Sequence, residues 1–239
     1  MQEIVERGGA DSEEIEALAE CLGSECGLIQ RRAAETLAAL GQHDITVQTL
    51  LLRSLQSGAS TRRWGAVFAL SLTGQVLLGA LPVLLQAMGA QDGDVRWAAA
   101  DIVAHMKGEA AVVDALRSLL HNGNAWQRKM AVYCLRDLDA RSPEIEAALR
   151  AALSHTHVGV RLAAISGLAR LACDRPLIAH ELIAMLYDAD SGVRRAAAAA
   201  LGTLGECAEY VMTALRQAAG SADQSLRRAA ERSLRLLHR

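Results

Sequence analysis

The chain is 239 residues long with a formal net charge of −2, and 51% of its residues are hydrophobic although only seven are aromatic. Forty-six Ala and thirty-six Leu against three Pro exclude a β-sandwich or barrel, which needs β-branched and aromatic residues and a turn every ~8–12 residues. High apolar content with little net charge excludes disorder, and no run approaches the ~18–20 apolar residues of a membrane span. The start, MQEIVERGGADSEE, is acidic and unlike a secretion signal, so an all-α, soluble, cytoplasmic protein is expected. Five scattered cysteines do not make a disulfide framework.

In chain order the predicted elements repeat as pairs, a helix A followed by a helix B. The B segments read IQRRAAETLAAL, RRWGAVFALSLT, VRWAAADIVAHM, QRKMAVYCLRDL, VRLAAISGLARL, VRRAAAAALGTL and LRRAAERSLRLL. Their second residues are Gln30, Arg63, Arg96, Arg128, Arg161, Arg194 and Arg227, spaced by 33, 33, 32, 33, 33 and 33. Seven positions past each of these anchors stand Leu37, Leu70, Val103, Leu135, Leu168, Leu201 and Leu234. Twelve before each stand Leu18, Leu51, Leu84, Leu116, Leu149, Leu182 and Leu215 on helix A, and eight before them Leu22, Leu55, Met88, Leu120, Leu153, Leu186 and Ala219. Residues four apart share one helical face, so both helices of every pair are amphipathic. Ser142-Pro143-Glu144 reads as the opening of one A helix, and Gly41, Gly74, Gly202 and Gly205 lie where left-handed caps of B helices are expected.

Neither helix of a pair can bury its apolar face alone, so neighbouring pairs must stack. The expected architecture is a right-handed α-α superhelix of about seven helix pairs, one solenoid domain over residues 1–239. Its repeats run at about 11–41, 42–74, 75–107, 108–139, 140–172, 173–205 and 206–239. Asp190, Val193, Arg194, Ala197, Ala198, Leu201 and Gly202 spell D-x-x-V-R-x-x-A-A-x-x-L-G. In this the chain resembles the HEAT-repeat family, especially the short bacterial form related to bilin-lyase repeats. The resemblance implies that the acid and the Arg form a structural ladder between neighbouring repeats. Four before the anchors stand Cys26, Ala59, Asp92, Asn124, His157, Asp190 and Asp223, so the pattern lapses in the first two repeats.

B helices usually line the concave face of such a solenoid. Positions one, five and nine past the anchor form a stripe there: Arg31, Glu35, Ala39; Trp64, Phe68, Leu72; Trp97, Asp101, His105; Lys129, Tyr133, Asp137; Leu162, Ser166, Arg170; Arg195, Ala199, Thr203; and Arg228, Arg232, Leu236. Four of the seven aromatics fall on this stripe in repeats two to four, with Trp126 just before it. Aromatics rimmed by charge are what a binding hot spot looks like. Trp64, Phe68, Trp97, Asp101, His105, Lys129, Tyr133 and Asp137 are therefore the candidate partner-binding residues. The competing reading has Trp64 and Trp97 fill gaps left by Gly65 and Ala98.

Charge is uneven: residues 1–50 carry a net −7 (Glu3, Glu6 and Arg7 among them) and residues 190–239 a net +3. Arg195, Arg228, Arg232 and Arg235 at the basic end could steer an acidic partner or touch phosphate; a solvated polar cap is preferred. No phosphate-binding Gly-rich loop, HExxH, paired CxxC or GxSxG is present, so no catalytic residue, cofactor or metal is expected. His155 and His157 suggest capping ahead of metal binding. Asp101, His105, Tyr133 and Asp137 suit polar rim contacts better than a base or a metal site. The reading is a non-enzymatic, monomeric scaffold binding a protein or peptide on its concave face, without membrane contact. A tetrapyrrole (bilin) lyase or chaperone is the alternative, and nucleic-acid binding ranks third.

Overall fold

The computed structural model describes residues 9–42, 44–74, 78–106 and 109–238; Glu3, Glu6, Arg7 and Lys107 lie outside these. Among the described residues the chain is helical, without strands, and it divides into two compact units, Met1–Met106 and Lys107–Arg239.

The first unit holds three A–B pairs: α1 (Ser12–Cys21) with α2 (Gly27–Gly41), α3 (Ile45–Ser54) with α4 (Ser60–Leu72), and α5 (Leu81–Ala87) with α6 (Gly93–His105). A short 3₁₀ turn, Leu78–Ala80, precedes α5. Asp11 opens α1 with a capping box, its side chain accepting from the Glu14 N–H while Glu14 accepts from the Asp11 N–H. Leu18, Leu22, Leu37, Leu51, Leu70, Leu84, Met88 and Val103 are buried, as the register requires.

The second unit holds four pairs: α7 (Ala110–Asn122) with α8 (Ala125–Asp137), α9 (Pro143–Ala152) with α10 (Val158–Leu171), α11 (Arg175–Met185) with α12 (Ser191–Leu204), and α13 (Glu209–Ala219) with α14 (Gln224–Leu237). Ser142 caps α9 through its hydroxyl, which accepts from the Ile145 N–H. Glu146, buried in α9, accepts from the N–H groups of Cys173 and Asp174 at 2.6 and 3.0 Å and so satisfies the chain entering α11.

One position of the period is alanine in every repeat. Three residues past the anchors stand Ala33, Ala66, Ala99, Ala131, Ala164, Ala197 and Ala230, each 0% exposed. A methyl group there lets neighbouring helices approach closely, where a larger side chain would overpack the seam. Three glycines allow closer approach still. A Cβ on Gly65 would lie 2.6 Å from the Leu22 carbonyl oxygen, one on Gly167 2.9 Å from Val132, and one on Gly202 2.5 Å from the Ser233 hydroxyl.

The expected glycine caps divide. Gly74 and Gly205 take left-handed φ angles of 77° and 74°. Gly41 and Gly202 instead lie inside α2 and α12, Gly41 against Val47 and Gly202 against Ser233, so they serve packing and not capping. After α8 the left-handed position falls to Asp139, at φ 49°.

Candidate functional site

The anchors act as scaffold. Each sits one turn into helix B and reaches back to carbonyls of its own A–B turn, which the end of helix A leaves without intrahelical partners. Arg63 donates to Ser57 and Gly58, Arg96 to Ala90 and Gln91, and Arg128 to Leu120, His121 and Gly123. Arg161 donates to His155 and Thr156, Arg194 to Asp188 and Ala189, and Arg227 to Ser221. Three arginines also tie one repeat to the next: Arg63 donates to Gln86 at 3.4 Å, and Arg161 and Arg194 form ion pairs with Asp188 at 2.9 Å and Asp223 at 2.6 Å. Gln30 substitutes for an arginine, donating to Leu22 in its own turn and to Thr61 in the following repeat.

The helix-B caps follow the same period. Side chains of Asp92, Asn124, His157, Asp190 and Asp223 accept from N–H groups of the first turn, whereas Cys26 and Ala59 make no side-chain cap. Two residues before the cap a second acceptor recurs: Ser24, Ser57, His155, Asp188 and Ser221 take the N–H of Cys26, Ala59, His157, Asp190 and Asp223. His155 does this through Nδ1. Burial, together with Arg128, His157 and Arg161, pushes its pKa below the ordinary 6.5, in keeping with a neutral ring that accepts. Among the described residues no three His, Cys, Asp or Glu side chains are grouped to hold a metal.

In the first unit the stripe splits by depth. Trp64 on α4 is 9% exposed and stacks on Phe68, with ring centroids 6.0 Å apart; Phe68 packs on the core in turn. Trp64, a candidate partner-binding residue, is therefore nearly buried. Gly65 draws α4 against the Leu22 backbone, and the adjacent indole is carried into the packed layer. Its neighbour on the stripe, Trp97 on α6, is 53% exposed. A cavity of about 280 Å³ opens across the B helices of this unit. Trp64 and Phe68 wall it, Leu28 and Arg31 of α2 lie on one side, and Asp92 and Asp94 on the other. Leu28, Asp92 and Asp94 were not among the candidate residues; an apolar residue and two acids at the start of B helices were the available signal.

Asp101 and His105 are both about three-quarters exposed (75% and 74%). The His105 Nδ1 lies 2.7 Å from the Asp101 carbonyl oxygen, one helical turn back, and 3.8 Å from its carboxylate. This is an exposed i,i+4 pair on one face of α6. Tyr133 and Asp137, expected to converge with it, belong to the second unit.

In the second unit α8 carries a ladder of rings and cations. The Lys129 Nζ lies 5.8 Å from the Trp126 ring centre and 5.9 Å from that of Tyr133, and the Arg136 guanidinium lies 5.7 Å from Tyr133. Trp126 also meets the edge of His157 at 6.1 Å, and Arg136 donates to the Ser166 hydroxyl of α10. Asp137 is exposed at the end of the same helix. Arg136 escaped the one-five-nine spacing because it projects from the flank of the stripe.

Stacked helix pairs on a Leu/Ala register, tied by a carbonyl-binding arginine per turn, define a repeat scaffold. A profile of HEAT repeats matches residues 81–147 and 145–235, well over half of the chain, which therefore belongs to the HEAT-repeat family. Two solved structures agree at the level of fold. YibA of E. coli is 18% identical over 99% of this chain and 84% of its own, with a TM-score of 0.64. An engineered protein is 21% identical over 99% of this chain and 70% of its own, with a TM-score of 0.51. The CpcE–CpcF phycocyanin lyase of Nostoc sp. PCC7120 is 21% identical over 94% of this chain and 93% of its own, with a TM-score of only 0.43. None of the curated proteins compared matches the chain. No helix among the described residues is long and apolar enough to cross a membrane.

Proposed function

We propose that this HEAT-repeat chain is a non-enzymatic scaffold that binds protein partners through aromatic B-helix surfaces in each of its units, repeats two and three in the first and repeat four in the second. The observation that carries the reading is Trp97: a large indole, half in water, on α6, whose Asp94, Val95 and Ala98 line the same cavity as Trp64 and Phe68. Exposed aromatic surface of this kind is a liability unless a partner covers it. Asp101 and His105 form its polar rim, and Leu28 adds an apolar side chain that is 68% exposed. In the second unit Trp126, Lys129 and Tyr133, with Asp137 beyond them, offer aromatic faces already held by cations and so ordered before binding. Trp64 supports this surface from beneath.

The test is a pulldown with the wild type and a Trp97→Ala variant, read by mass spectrometry, with circular dichroism as the folding control. Polypeptides enriched on the wild type and lost from a folded variant are the expected result. An identical set on both proteins, or no polypeptide on either, would overturn the proposal.

A further inference from the structure

The second unit holds a further surface, which meets the aromatic ladder at Arg136 and is lined by no aromatic side chain. Its B helices α10 and α12 contain no Asp or Glu, and α14 contains only Glu231. Two adjoining cavities lie along them. One of about 410 Å³ is lined by Arg136, Leu162, Ile165, Arg170, Ala196 and Ala199 among others. The other, of about 590 Å³, is lined by Arg195, Ala199, Arg228, Ala229, Arg232 and Leu236 among others. They share Ala196, Ala199 and Thr203, so the groove is continuous across repeats five to seven.

The groove arginines differ from the anchors. Arg161, Arg194 and Arg227 are half-buried and bonded to carbonyls. Arg170, Arg195, Arg228 and Arg232 are exposed, and none makes an ion pair with an Asp or Glu among the described residues. Arg228, Arg232 and Leu236 succeed one another at intervals of four on a single face of α14, as Arg195, Ala199 and Thr203 do on α12. Cations therefore alternate with a floor of Ala196, Ala199, Ala229 and a Leu236 that is 49% exposed.

We infer that this groove binds an acidic amphipathic segment of a protein partner, carboxylates on the arginines and apolar side chains on the alanine floor. Guanidinium forks match carboxylates bidentately, and the excess of unpaired positive charge selects an anionic ligand. The floor decides the class. No aromatic side chain lines either cavity, so bases would find no stacking platform. A phosphate backbone would leave Ala229 and Leu236 uncovered, whereas an amphipathic helix buries them. The chain as a whole carries net −2, so it has no general field for polyanions.

The experiment is fluorescence anisotropy on the full chain at physiological salt. The probes are a labelled peptide of repeating Glu-Glu-Leu-Ala blocks, its Lys-Lys-Leu-Ala counterpart, and labelled single-stranded and duplex DNA. The acidic peptide should bind and the basic one should not. An Arg195→Glu/Arg228→Glu variant should weaken the acidic peptide by roughly tenfold or more while circular dichroism stays unchanged. Trp97→Ala should leave it intact, which separates this groove from the aromatic surface. A groove that prefers either DNA, that binds both peptides equally, or whose peptide affinity survives the double reversal overturns the inference.

Discussion

Arg194 and Asp223 join the last two repeats at a single carboxylate that does two jobs. One oxygen of Asp223 accepts from the Arg194 guanidinium at 2.6 Å, and the other caps α14 by accepting from Ser225 and Leu226 at 3.0 and 3.2 Å. The Ser225 hydroxyl, the Arg194 guanidinium and these N–H groups hold the carboxyl well below its ordinary 3.8. A depressed carboxyl contributes stability above 3.8 and loses it as pH falls below that value. Asp223→Ala should lower Tm by a few degrees at neutral pH. Asp223→Asn keeps the cap and loses the charge, so it should cost less and flatten the decline below pH 3.8; thermal melts across pH check both.

Acid sensitivity closer to neutrality is expected from His155. It stands in the slot where other repeats place Ser24, Ser57, Asp188 and Ser221, and its Nδ1 can accept from the His157 N–H only while unprotonated. Its depressed pKa means that the unfolded chain binds the proton first, so stability should fall as pH drops through 6.5 and level off below the folded value. His155→Ser supplies the acceptor used elsewhere in the period. That variant should match the wild type at pH 8 in urea unfolding and lose less stability at pH 5. A wild type and variant that decline in parallel would count against this role.

The lapse of the cap pattern in the first two repeats makes a stabilising prediction. Ala59 has φ −79° and ψ 122°, close to the −71° and 125° at which Asp92 caps α6, so its backbone is already set for a cap that its methyl cannot make. Ala59→Asp should raise stability by about 1 kcal/mol, and Cys26→Asp by a similar amount. Chemical denaturation of each single variant and of the pair tests this, and the two increments should add because the sites are separate.

How much of this was legible beforehand follows from repetition. A position that recurs seven times, such as Leu51 with its six counterparts, averages out local accident, so the helix pairs could be read from spacing alone, while the structural duty of the arginines was implied by the family resemblance. What occurs once could not. Trp64 and Trp97 occupy the same place in the period, yet one is buried and the other exposed, because only the former neighbours a glycine pressed on the backbone of Leu22. The division after Met106 was also hidden by the regular period, although the one 32-residue interval, Arg96 to Arg128, spans it.

Close approach at Gly202 sets the seam between α12 and α14. A Cβ there would lie 2.5 Å from the Ser233 hydroxyl, 2.7 Å from its Cβ and 2.9 Å from its Cα, while that hydroxyl donates to the Ala198 carbonyl at 2.8 Å. Side chain and backbone must both shift, so Gly202→Ala should cost about 1–3 kcal/mol. Adding Ser233→Gly removes two of the three clashes and should recover part of the loss, giving a coupling energy of opposite sign in a double-mutant cycle.

The two stripe tryptophans give the sharpest contrast between scaffold and site. Trp64 is packed on Phe68 and the core, so Trp64→Ala should destabilise by about 3–5 kcal/mol and any loss of binding would follow from unfolding. Trp97 is half in water, and Trp97→Ala should change stability by about 1 kcal/mol or less while removing partner capture. The pair separates two explanations that binding data alone would confound. If both variants melt alike and both lose the partner, the indoles are one packed unit. If only Trp97→Ala binds poorly while remaining folded, the outer indole is the contact and the inner one its support.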